Sequence, residues 1–259
     1  MTTTGVPEVS TEWMTIPLSQ NYLEPPVVIA SLGAQFDNQP GIVRVQNVTD
    51  NSFQIRFDQW EDIDQSSDVQ KQVFYLVSKV GLSSIESLKV EAGKVSSNNL
   101  APNVSKVDFE TRFTAIPAIF TGVLTANDED LVVPRVLYSD SSGFDVGLQE
   151  QESKNNGHIE EEIGWIAIEK GVALNSSFNI NVLDVSASHI ESTIQFPVNE
   201  NVFSPIVVHT LGSYYGRDTA VSSLTFIKND GLGVYVQEEK SRDDEMNHAK
   251  EKIGIFFVN

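Results

Sequence analysis

The sequence contains no cysteine. Disulfide cross-links and thiolate metal sites are therefore excluded, and the redox compartment is left open. Basic residues are scarce: 17 Lys and Arg stand against 36 Asp and Glu, a formal net charge of -19. Such a chain repels a phosphate backbone and an anionic lipid surface, so neither nucleic acid nor membrane is an expected partner. No apolar run reaches the roughly 18 residues of a membrane helix, so helical membrane insertion is not expected. The segment "MTTTGVPEVSTEW" has neither a basic start nor an apolar core, and does not read as a secretory signal. Neutral or cationic glycans and divalent cations remain compatible with the charge.

What the chain does have is repetition. A proline followed by apolar β-formers appears as "PPVVIASL" at Pro26, "IPAIFTGVL" at Pro117 and "SPIVVHTL" at Pro205, with the prolines 91 and 88 residues apart. A turn that opens onto an apolar residue recurs with the same spacings at Phe53, Phe144 and Leu232. A closing apolar run starts at Val73, Ile163 and Ile253, 90 residues apart each time. Three anchors in phase predict three tandem modules, 1–82, 83–172 and 173–259.

Inside each copy the period is that of strands. Phe53, Ile55 and Phe57 alternate with polar residues, as do Phe144, Val146 and Leu148. "TDNS", "DSSG" and "KNDG" supply turns. "SSIESLKVEAGKV", Ser83 to Val95, reads either as a short helical turn or as a segment crossing between modules. The expected fold is all-β, built of antiparallel sandwiches. The closing runs "VFYLVS", "IGWIAIE" and "IGIFFV" are apolar on both faces, and such strands are covered on both faces. Three closing strands packed round one axis, an intrachain pseudo-trimer, would provide that cover.

These residues resemble the H-type lectin domain. The first copy carries "PPVVIASL", Arg44, "NVTDNSF", "DQWED" and "VFYLVS"; the second carries "IPAIFTGV", Arg135, "SDSSGF", "LQEQE" and "IGWIAIE". The third departs at two points, with Ser223 at the arginine position and Leu232 at the phenylalanine position. The resemblance implies six-stranded antiparallel β-sandwich modules that assemble in threes and bind sugars near their interfaces. The family's sugar contacts do not carry over: Glu61, Glu152 and Lys240 stand where animal members place a histidine, and Pro40, Leu131 and Thr219 where they place a second arginine. The wording of the motifs is closer to a bacterial or phage variant.

One constellation repeats. Gln149, Glu150, His158 and Glu161 align with Gln237, Glu238, His248 and Glu251, each histidine three residues before its glutamate. The first copy has Asp58, Gln59, Asp68 and Lys71 instead, but alone carries Trp60. Four readings compete. The acids and histidines pair across neighbouring strands. Alternatively, they accept and donate hydrogen bonds to sugar hydroxyls beside an aromatic face. In that reading the carbohydrate contacts are Trp60, Glu61, Gln149, Glu150, Glu152, His158, Glu161, Tyr215, Gln237, Glu238, His248 and Glu251. A third reading is structural calcium in the oxygen-rich runs "NDED", "DQWEDID" and "RDDE", although none has an established calcium-loop spacing. The fourth is glycosidase chemistry on paired carboxylates, but nothing singles out a pair and no nucleophile elbow or phosphate loop is present. Tyr214 and Tyr215 with Arg217 form a sugar platform unless one tyrosine packs inward. Trp165 reads as core or interface, and His209 as a strand residue with a local hydrogen-bond partner.

The resulting expectation is a non-catalytic protein that binds glycans or polysaccharide at an extracellular or virion surface. It needs no cofactor, with structural calcium allowed. The alternative is a structural virion or cell-surface component such as a fibre, baseplate or capsid-decorating protein. Further assembly, as a homo-oligomer or in a virion, is compatible with both.

Overall fold

The computed structural model describes residues 1–34, 41–60, 70–154, 157–174, 177–197, 204–242 and 245–259. Among these residues there are twenty strands, one 3-10 turn and no α-helix, so the all-β expectation holds. The first set of strands is β1 (Thr2–Val9), β2 (Met14–Pro17), β3 (Val27–Leu32), β4 (Gly41–Gln46), β5 (Ser52–Gln59) and β6 (Lys71–Ser78). The second is β7 (Gly81–Ile85), β8 (Leu88–Ser97), β9 (Ser105–Asp108), β10 (Ala118–Val123), β11 (Val132–Ser139), β12 (Gly143–Glu150) and β13 (Glu161–Ile168). The third is β14 (Gly171–Leu174), β15 (Asn179–Ala187), β16 (Ser192–Gln195), β17 (Ile206–Leu211), β18 (Ala220–Lys228), β19 (Gly231–Glu238) and β20 (Glu251–Val258).

One antiparallel pairing scheme recurs along the chain. β6 lies between β1 and β3, β13 between β8 and β10, and β20 between β15 and β17. In the facing sheets β5 lies between β2 and β4, β12 between β9 and β11, and β19 between β16 and β18. The second and third sets each contain a strand beyond six, since β7 and β14 pair with β8 and β15. The segment that read as a helical turn or a crossing is therefore the β7–β8 hairpin, turned at Glu86 with φ 50°. Leu88, Val90 and Ala92, which face one cluster at a spacing of two, decide strand over helix.

The closing strands explain their own composition. On β6, Val73, Tyr75 and Val77 enter a cluster with Phe53, Ile55 and Phe57 of the facing sheet. Phe74 and Leu76, on the other face, enter a central cluster. Ile163, Trp165 and Ala167 of β13 likewise face their own sandwich, while Ile166 and Ile168 face the centre. On β20, Ile253, Ile255 and Phe257 face the sandwich and Phe256 the centre. The central cluster thus draws on all three sets and holds Ile29, Phe120 and Val208 of the opening strands as well. Each such buried side chain contributes about 1.5–3 kcal/mol relative to exposure. A strand with both faces buried reads as a continuous apolar run, which is the pattern in the sequence.

Trp165 is core: its ring meets Phe109 at 5.8 Å and Phe144 at 5.7 Å. Gly93, opposite it in the register, is required by close approach, because a Cβ there would lie 2.5 Å from the indole. Between β3, β10 and β17 a cavity of about 100 Å³ remains, lined in part by the small residues Ser31, Gly122 and Thr210, one from each strand.

Candidate functional site

The repeated acid–histidine sets form where a facing strand ends and a closing strand begins. Glu150 ends β12, Glu161 starts β13, and the connecting loop returns His158 between them. His158 Nδ1 lies 2.9 Å from Glu150 Oε1, and Nε2 lies 3.4 Å from Glu161 Oε1. Glu161 is also stapled to the loop after β10. It accepts hydrogen bonds from the Thr125 hydroxyl, from the Asn127 N–H at 2.9 Å and from the Asp128 N–H at 3.3 Å.

The third set repeats this with different side chains. His248 Nδ1 bonds Glu238, and Nε2 lies 3.1 Å from Glu251 Oε1. Glu251 accepts from the Ser213 hydroxyl, from the Tyr215 N–H at 2.9 Å and from the Gly216 N–H at 2.9 Å. Gly216 has to be small, since a Cβ there would sit 2.3 Å from His248 Nε2. Thr125 and Ser213, which sequence reasoning missed, both stand eight residues after the opening proline, and that shared offset is the signal that could have found them.

Burial and hydrogen bonding oppose each other in both sets. Desolvation disfavours the charged His158 ring, but the facing carboxylates of Glu161 and Glu150 outweigh it and raise its pKa above 6.5. His248 behaves alike, with Glu251 and Glu238 outweighing burial. Burial also opposes ionisation of Glu161 and Glu251. His158 and the loop donors nevertheless lower the pKa of Glu161, and His248, Arg135 and Ser213 lower that of Glu251 to about 2. Each set is an internal imidazolium–carboxylate clamp.

Arginines extend the clamps to the neighbouring set. Arg135 of β11 is completely buried. Its Nη2 lies 2.6 Å from Glu251 Oε1 and 3.2 Å from the Ser213 carbonyl, and its Nη1 donates to Gln149 Oε1 at 2.5 Å. Arg44 of β4 reaches toward the second set, but ends on the carbonyls of Asp128 at 2.8 Å and Glu129 at 3.3 Å. At the equivalent positions of the third junction stand Ser223 and, in place of the glutamate, the buried Lys71. Ser223 bonds Gln237 at 2.8 Å. The Lys71 Nζ lies 5.2 Å from the centre of the Phe57 ring. This junction is made instead by His209, which is a strand residue with hydrogen-bond partners on both sides. Its Nε2–H donates to the Leu32 carbonyl at 2.9 Å, and Nδ1 accepts from the Ser222 hydroxyl at 2.8 Å. Burial lowers its pKa to about 4, so the ring is neutral.

The structure brings together Glu150, His158 and Glu161 in one clamp and Glu238, His248 and Glu251 in the other, all buried, whereas Gln149 turns to Arg135 and the Arg217 carbonyl and Gln237 to Ser223. Trp60 differs from the expected exposed aromatic face. It has no solvent-exposed surface and packs with Ile42 and Leu131, because the sets close against one another there. Glu61 lies outside the described residues. Glu152 is half-buried and accepts from the Thr219 N–H at 3.2 Å, while its own N–H donates to Glu239 at 2.6 Å. Of the tyrosine pair, Tyr214 lies under Arg135, 5.2 Å from guanidinium to ring centre, and Tyr215 is 60% exposed. Among the described residues one acidic group could hold a cation: the carboxylates of Asp218, Glu238 and Glu245 lie within 4.8 Å of one another. Calcium takes about six to eight oxygens, and Glu238 already holds His248.

No family model matches the chain, and no solved structure matches it. The chain is 32% identical over 266 residues to Halomucin of Haloquadratum walsbyi. That match takes in 98% of this chain and only 3% of Halomucin.

Proposed function

We propose that this chain is a non-catalytic structural unit of a cell-surface or extracellular protein. The observation that carries the proposal is the use made of the acid–histidine sets: their side chains are buried, and they fasten the chain's own loops and neighbouring strand sets. The likeness to a stretch of Halomucin supports a place in a surface protein, in which a fold of this size would be one small part. The charge of -19 keeps such a unit hydrated and mutually repelling. The test is Glu161→Ala and Glu251→Ala, each followed by urea unfolding. Loss of stability is expected; full stability with loss of a ligand would overturn the proposal.

A second reading, carbohydrate recognition, rests on the resemblance to H-type lectins and on Tyr215, an exposed ring two residues before the exposed Arg217. An apolar ring face beside hydrogen-bond donors suits a sugar. A glycan array probed with the intact chain and with Tyr215→Ala tests it. Binding that disappears in the variant at unchanged Tm supports recognition, and an empty array removes it.

A further inference from the structure

The three strand sets differ in what they place at the cavity where β3, β10 and β17 meet. In each set the opening strand and the facing-sheet strand after it contribute one residue at a matching place in the repeat. These pairs are Ala30 with Val43, Thr121 with Pro134, and His209 with Ser222. All six residues line the cavity. The third pair alone supplies an aromatic ring. His209 is 2% exposed, and its imidazole is held at both nitrogens, by the Leu32 carbonyl of the next set and by the Ser222 hydroxyl. The residues of the first two pairs are smaller, and about 100 Å³ stays open beside them.

Both contacts of the His209 ring have a counterpart in the second set. Thr121 is 4% exposed, and its hydroxyl has no hydrogen-bond partner. A buried hydroxyl left in this way is costly, and it marks a place where a partner fits. The carbonyl that would correspond to that of Leu32 belongs to Leu211, in the set that follows Thr121. Leu211 lines the same cavity. The hydroxyl donor has thus moved from the facing strand, at Ser222, to the opening strand, at Thr121, while the carbonyl keeps its place in the repeat.

The rest of the wall selects against charge. Among the described lining residues Arg44 alone carries a full charge, and its guanidinium is held by the carbonyls of Asp128 and Glu129. The His209 ring is neutral. Val45, Val133 and Leu211 are apolar wall. An ion placed here would lose its hydration without a counter-charge, whereas a neutral guest with an apolar body would not. Size sets the other limit. A cavity of about 150 Å³ admits benzene, so one of about 100 Å³ suits a smaller ring.

We propose that this cavity is a binding site for a small neutral azole, a five-membered ring with one N–H donor and one ring-nitrogen acceptor. Beside Thr121 the guest repeats what the His209 side chain does in the third set. Its N–H donates to the Leu211 carbonyl, and its second nitrogen accepts from the Thr121 hydroxyl. With about five heavy atoms, such a guest binds with a dissociation constant on the order of 1 mM. The site is separate from the acid–histidine clamps and from Tyr215.

The test is to titrate the full chain with pyrazole, which is neutral at pH 7, and to follow amide and methyl NMR shifts. Saturable shifts are expected at Thr121, Val133 and Leu211, with Glu161 and Tyr215 unchanged. Thr121→Val keeps the shape of the side chain and removes the hydroxyl, and it should weaken pyrazole by about fivefold or more. Thiophene, a ring of similar size without an N–H, should bind the unaltered chain about tenfold more weakly. The absence of a saturable shift at the cavity would leave it to water and overturn the proposal. Equal affinity of Thr121→Val for pyrazole would overturn it as well, because the hydroxyl would then hold nothing. Thiophene binding as tightly as pyrazole would mark a plain apolar void, with the same consequence.

Discussion

The Glu161 and Glu251 clamps share a histidine, a hydroxyl donor and two loop N–H groups, yet only Glu251 receives an arginine. Arg135 reaches Glu251, whereas Arg44 stops on the carbonyls in front of Glu161. Three hydrogen-bond donors and a facing imidazole suffice to hold a buried carboxylate ionised, since the pKa of Glu161 is lowered without a direct arginine contact. The arginine therefore does something further: it ties one strand set to the next through a charge with no access to water. The third junction, with His209 in place of an ion pair, shows that this task can also be done by a neutral ring.

The largest expected effect separates the two arginines. Arg135→Ala leaves Glu251 buried with only the His248 imidazolium as counter-charge and removes the tie to the neighbouring set, and should cost about 3–5 kcal/mol. Arg44→Ala removes hydrogen bonds to carbonyls and should cost about 1–3 kcal/mol. Urea unfolding midpoints compare them, and equal losses would erase the distinction. Next, Ser223→Arg should destabilise the third junction by bringing a second cation to Lys71, and adding Lys71→Glu should recover stability. A double-mutant cycle should read a favourable coupling of about 0.5–3 kcal/mol; none would mean that the two positions do not face each other.

A smaller effect is the dependence of stability on pH. His158 and His248 have folded pKa values above 6.5, so their contribution is complete below pH 6.5 and is lost as pH rises through the folded values. His209 is shifted from 6.5 to about 4, so stability falls as pH drops from 6.5 toward 4. Glu251, lowered from 4.5 to about 2, adds a further loss as pH falls from 4.5 toward 2. Unfolding midpoints should therefore peak near pH 6.5. His248→Gln should flatten the alkaline limb and His209→Gln the acid one; the reverse assignment would overturn the electrostatic distinction between clamp and junction. The smallest effect is that of salt. Raising ionic strength from about 0.1 M to about 1 M shortens the screening length from about 10 Å to about 3 Å. It should raise Tm by relieving surface repulsion, while the loss caused by Arg135→Ala stays unchanged because that pair is buried.

Much of the frame is legible because it is local. Alternation at Phe53, Ile55 and Phe57 marks a strand with one buried face. The doubly apolar runs at Val73, Ile163 and Ile253 mark strands with two. The acid–histidine sets were visible as repeats, but their depth was not, because polar residues in a loop-rich stretch read as solvated. Their donors lie far off in sequence: Thr125 is 36 residues from Glu161, and Arg135 is 116 from Glu251. Trp60 misled for the same reason, since its covering residue Leu131 belongs to another strand set.

By itself the sequence determined the all-β class, the phase of the repeats and the double cover of the closing strands, since strand periodicity writes burial directly into neighbouring residues. Only the tertiary structure decided what the acids and histidines are for. A carboxylate is exposed or clamped according to donors that the fold brings to it, and at each clamp those donors come from the loop behind the opening strand and, for Glu251, also from a strand of another set.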